Sequence, residues 1–164
     1  MKKTILITAI LISSLNLFGQ SKTETKEWIK RKCDYYEYKG FYSRWMDFQD
    51  NYLVTYMKIG DAIFYEKIEI NKINQFLIER FEGHDDHDGF KITLFCKNKT
   101  KCIEDGKVIG NNLVPSTDAY INYTFSIVLE LSFSEDNQPI KMKTALKHLV
   151  KLYGGNATIF KDTF

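Results

Sequence analysis

The chain has 164 residues, 44% of them hydrophobic, with 23 Lys+Arg against 21 Asp+Glu. Setting aside Lys2 and Lys3, which fall in the leader described next, leaves 21 against 21; the remainder is neutral and lacks the global positive field that drives phosphate-backbone binding, so nucleic acid is excluded as the expected partner. Beyond the leader, about 144 residues remain, enough for one domain with one hydrophobic core.

The leader is "MKKTILITAILISSLNLFGQ": two lysines, an apolar run from Ile5 to Ile12 broken only by Thr8, then Leu17-Phe18-Gly19-Gln20. That is the three-part order of a secretory signal peptide, and the run is shorter than the ~20 apolar residues of a membrane span. Residues 1–20 are therefore expected to be cleaved. Residues 21–164 should form a single globular domain, periplasmic or extracellular and not integral to a membrane. No cysteine precedes Cys33, so the acylated cysteine of a lipoprotein-type signal is missing. A signal ending in Gly-Gln resembles those of exported Bacteroidota proteins, which implies export and no particular activity.

Ser21 with Glu24 fits a capping box, and Trp28, Ile29, Cys33 and Tyr36 recur at helical spacing, predicting a first helix that docks by that stripe. From Phe41 the period falls to two. "FYSRWMDFQ", "YLVTYMKI" and "AIFYEKIEI", separated by Asp50-Asn51 and Gly60-Asp61, predict a three-strand meander, because Asp, Asn and Gly accept the positive φ of two-residue turns. "NKINQFLIERF" fits either helix or strand and is read as a fourth strand. Phe90, Ile92, Leu94 and Cys96 alternate with Lys91, Thr93, Phe95 and Lys97 in a fifth, and a sixth runs near Cys102 to Ile109. In "YTFSIVLELSF" Tyr123, Phe125, Ile127, Leu129, Leu131 and Phe133 share one face of a half-buried seventh strand.

The last element is a helix opened by Pro139 and stopped by Gly154 and Gly155. Met142, Ala145, Leu146, Leu149, Val150 and Tyr153 form its apolar stripe, and Lys141, Lys143, Lys147, His148 and Lys151 occupy the opposite arc. The expected class is α+β: about seven mainly antiparallel strands, as a bent sheet or open barrel, with an N-terminal helix and a C-terminal amphipathic helix. This element order from Phe41 to Tyr153 resembles the pleckstrin-homology-like superfold, which implies a habit of binding lipid headgroups, peptides or proteins. The helix "ALKHLVKLYGG" also resembles the C-terminal helix of small exported Bacteroidota proteins.

The densest cluster of chemistry-bearing side chains is "FEGHDDHDGF". His84, His87 and Asp88 are suitable ligand types for a divalent cation, but Gly83, Gly89 and the flanking strands predict a solvated hairpin loop without the rigid supporting shell that metal sites use. Asp also favours turns for its own backbone hydrogen bonding. The expected reading is a turn, with no metal and no cofactor. Cys96 and Cys102 are expected to face each other across a hairpin tipped by Asn98, Lys99 and Thr100, within reach of a disulfide that export would permit. Cys33 reads as a buried thiol.

Catalytic motifs are absent: no G-x-S-x-G, H-E-x-x-H, phosphate-binding glycine loop or dinucleotide fingerprint occurs. Aromatic residues make up 15% of the chain, crowding from Tyr35 to Phe48, and Tyr42 with Trp45 forms the expected contact patch. Together these features predict a non-catalytic binding or interaction module for an unknown protein or peptide. A carrier of a small apolar ligand, or a hydrolase with a dispersed active site, are the alternatives.

Overall fold

The computed structural model describes residues 21–33, 36–38, 42–81, 89–96, 102–116, 124–130 and 138–159. The leader at 1–20 and the His84, His87 and Asp88 candidates lie outside the described residues. Helix α1 spans Lys22–Lys32, and its capping box forms: the Ser21 hydroxyl accepts from the Glu24 N–H at 3.2 Å, and Glu24 accepts from the Ser21 N–H at 2.7 Å. These bonds satisfy two of the amides that a helix start leaves open, and they hold the Glu24 carboxyl below its usual range. The helix ends earlier than its apolar spacing suggests. Cys33 caps it by donating its N–H to Ile29 and Lys30, and Tyr36 belongs to the next element.

Ten strands follow among the described residues: β1 Tyr36–Tyr38, β2 Tyr42–Gln49, β3 Tyr52–Ile59, β4 Ala62–Glu69, β5 Ile73–Phe81, β6 Gly89–Cys96, β7 Ile103–Ile109, β8 Asn112–Pro115, β9 Thr124–Glu130 and β10 Thr158–Ile159. A 3-10 turn at Ile70–Lys72 separates β4 from β5, and helix α2 runs Gln138–Leu152. Seven strands are at least seven residues long, and each of these pairs antiparallel to a neighbour. Only β10 pairs parallel, with β5. The fold class is α+β, as the periodicities predict. The meander also forms with its expected turns, where Asp50 (φ 51°) and Gly60 (φ 59°) take the positive φ.

The strands divide into two sheets with no closed barrel: β1-β2-β3-β4-β7-β8 and β10-β5-β6-β9. This division corrects the expected cysteine hairpin. β6 pairs with β5 and β9, whereas β7 pairs with β4 and β8. Cys96 therefore ends a strand of one sheet, Cys102 precedes a strand of the other, and their disulfide, with Cα atoms 6.1 Å apart, ties the two sheets together.

The core lies where both sheets meet the helices. Met46, Leu53, Ile68 and Ile103 enter from the six-stranded sheet, Ile73, Phe76, Ile78, Ile92 and Leu94 from the four-stranded one, Ile29 from α1, and Met142, Leu146, Leu149 and Val150 from α2. Each such side chain contributes about 1.5–3 kcal/mol by leaving water. α2 stops as its glycines predict. Gly154 takes φ 81°, and the Gly155 N–H reaches back to the Val150 carbonyl at 2.9 Å, a Schellman closure.

Candidate functional site

Strand parity sorts the six-stranded sheet into two faces, and pairing sorts each face into cross-strand rows. On the core face the first row is Phe48, Leu53, Ile68 and Ile103, buried or packed against the core. The next row is Met46, Thr55, Glu66 and Asp105, and beyond it come Arg44, Met57, Phe64, Lys107 and Val114. At the tip stand Ile59, opposite Ala62, and Ile109, opposite Asn112. Along these strands the environment passes from a dry core through a charged row to an apolar, solvent-exposed end.

The charged row carries the perturbed titration. Burial holds the Glu66 carboxyl above its usual range, Arg44 opposes the rise and Asp105 adds to it. Glu66 and Asp105 are register partners on β4 and β7, so their Cα atoms sit within about 4.5–5.5 Å. Asp105 is fixed by Ser116, whose hydroxyl donates to Oδ2 at 2.8 Å and whose N–H donates to the Asp105 carbonyl at 2.9 Å. Its other oxygen, Oδ1, is buried with no hydrogen-bond partner among the described residues. Arg44 places Nη2 3.5 Å from the Met57 sulfur. Glu66 and Asp105 therefore offer hydrogen-bond acceptors, and the adjoining row sets the Arg44 guanidinium and Lys107 among Met57, Phe64 and Val114.

The opposite face is closed on itself. Trp45 stacks on Tyr56, with ring centroids 5.1 Å apart and planes at 12°. Gln49 donates to the Tyr56 hydroxyl at 2.8 Å, Tyr65 donates to Glu104 at 2.7 Å, and Lys67 pairs with Glu104 at 2.8 Å. Burial raises the Tyr56 phenol, with Asp47 adding to the rise and Lys30 opposing it. Gly106 lies beneath this face. A Cβ there would meet the Val114 carbonyl, and would come within 2.7 Å of the Tyr65 ring, so Gly is needed for close approach of β8 and the ring.

Trp45 belongs to this interlocked face, while strand position 42, an odd number of residues away in an unbroken register, has the opposite parity. Glu66 and Asp105 escaped the sequence reading because they lie far apart along the chain. The available signal was Glu66 at the same parity as Phe64 and Ile68, a charge on an otherwise apolar face. No group of three or more His, Cys, Asp or Glu side chains suited to a metal gathers among the described residues. None of the described helices is long and apolar enough to cross a membrane. Compared with known protein families, curated proteins and solved structures, the chain matches none of them.

Proposed function

We propose that this is an exported, non-catalytic binding or interaction module, whose protein or peptide partner contacts the tip of the six-stranded sheet on its core face. One observation carries the reading. Of the four exposed large hydrophobic residues among the described ones, Ile59 (49% exposed), Ile109 (62%) and Val114 (41%) share that one face. Half-buried Met57 and Phe64 adjoin them. Lys107 stands between Phe64 and Val114, its ammonium 5.4 Å from the Phe64 ring centroid; exposed apolar side chains gathered at one end of a sheet face and rimmed by polar groups mark contact sites. The buried Cys96–Cys102 disulfide is compatible with an oxidising, exported setting. Placing a photo-crosslinking residue at Val114, at Ile109 and, as a control, at exposed Lys91 of the other sheet tests the assignment in the exporting host. Defined adducts from the first two positions and none from Lys91 are expected; equal labelling, or none at all, refutes it.

A second reading rests on the charged row. A carboxyl held above its usual range beside a second carboxylate is the arrangement from which general acids are made, so Glu66 with Asp105 is where a dispersed hydrolase site would lie. Turnover of generic ester, glycoside or phosphate substrates that disappears in Glu66→Gln would establish it. Absence of turnover leaves the binding reading standing.

A further inference from the structure

A chain whose formal net charge is only +2 hides a strong internal division of charge. α1 and α2 together carry nine basic residues and two acidic ones, while the rest of the chain after residue 20 carries twelve basic and nineteen acidic. The helices pack on each other. The Lys22 ammonium lies 4.4 Å from the Tyr153 ring centroid, which joins the start of α1 to the end of α2. The basic excess is therefore gathered into one layer and the acidic excess is left to the sheets and loops.

Within that layer α2 is unusual for a solvated helix. It has no acidic residue, so exposed Lys147 and Lys151 form an i, i+4 pair of like charge, which destabilises a helix where alternating signs would support it. Its outer stripe is Ile140, Thr144, Lys147 and Lys151, all exposed, with Lys141 beside it. Ile140 is 63% exposed, an apolar side chain at the end of a lysine face. Lysine stems and an apolar anchor on the outer face of an amphipathic helix suit the boundary between anionic headgroups and acyl chains.

We propose that the outer face of α2 docks on an anionic lipid surface, with Lys141, Lys147 and Lys151 over the headgroups and Ile140 inserted between them. This goes beyond the binding-module reading and uses a different surface from the sheet tip, so either can fail alone. The test is co-sedimentation of the protein with vesicles of phosphatidylcholine alone and of phosphatidylcholine mixed with phosphatidylglycerol, at low and high salt. All proteins come from one exporting host, carry the same N-terminus and keep the disulfide. Binding to the mixed vesicles only, weakened by salt, is expected. Lys147→Gln with Lys151→Gln should lower the partition coefficient about 25-fold, roughly fivefold for each lysine. Ile140→Ser should lower it without altering its salt dependence.

The pair Lys58→Gln with Lys91→Gln removes the same charge from the sheets and should change partitioning less than about twofold, since charges beyond a Debye length from the surface contribute little. Circular dichroism confirms that each variant is folded. The proposal is overturned by failure to bind mixed vesicles, or by equal losses in the two lysine pairs. It is also overturned if the α2 lysines govern only a salt-sensitive self-association seen by sedimentation without lipid, which would assign the face to a second copy of the chain.

Discussion

The two ends of the six-stranded sheet are built from the same strands, and on one face they alternate with the same period, yet one end is dry and the other wet. Leu53 and Ile68 are 1% and 0% exposed, whereas Ile59 and Ile109, further along β3 and β7, are 49% and 62% exposed. The difference is what lies across from them. α2, α1 and the four-stranded sheet supply partners for the first row, while the tip extends past that core, with Glu66 and Asp105 marking the transition. Alternation names the face that is apolar, but the length of strand that is covered depends on the opposing elements.

The contrast can be broken most severely at its dry end. Leu53→Ala should cost about 2–5 kcal/mol, because the surrounding core relaxes only partly around the void, read as a lowered urea midpoint. Gly106→Ala comes next, at about 1–3 kcal/mol, since the new Cβ forces β8 or the Tyr65 ring to move; thermal unfolding measures it. Cys96→Ser with Cys102→Ser should cost about 2 kcal/mol through the freed short loop. It should also raise amide exchange at the β6 end and the β7 start, the places where the bond joins the sheets.

Glu66 sharpens the boundary between the two ends. Its carboxyl is raised in the folded protein, so its contribution to stability is fully present below the unfolded-state value and is lost as pH rises through the folded-state value. Glu66→Gln should therefore be more stable than wild type near neutral pH and should converge with it below about pH 4, as urea midpoints across that range would reveal. An unchanged difference at every pH would contradict the burial of this carboxyl. The smallest effect belongs to the wet end. Ile109→Ala should change stability by less than about 0.5 kcal/mol, as expected of a surface position, and a larger loss would mean that the tip is covered.

Much of this was legible locally. Ser21 and Glu24 announce the start of α1, because a capping box uses residues three apart; Asp50-Asn51 and Gly60-Asp61 announce the meander, because turn geometry is set within four residues. The apolar stripe of α2, from Met142 to Val150, is buried as its spacing predicts. Non-local choices were hidden. β6 and β7 are consecutive, and a hairpin between them was the natural expectation; instead β7 crosses to pair with β4, so a correct cysteine pair acquired an unexpected role. Trp45 was visible as an aromatic, but its stacking on Tyr56 depends on the β2–β3 register. The row of Glu66 and Asp105 depends on the pairing of β4 with β7.

The sequence by itself determined the two helices, the seven long strands and the candidate disulfide partners, since each follows from dihedral preference, periodicity or the identity of three cysteines, while the short strands β1, β8 and β10 carry no periodic signal of their own. The tertiary structure alone decided that the strands form two sheets, that the disulfide joins them, and that one end of the larger sheet outruns the core. It also gathered the charges of α1 and α2 into one layer. Those outcomes turn on which surfaces cover one another, and burial and charge proximity are properties of pairs of elements that no single segment encodes.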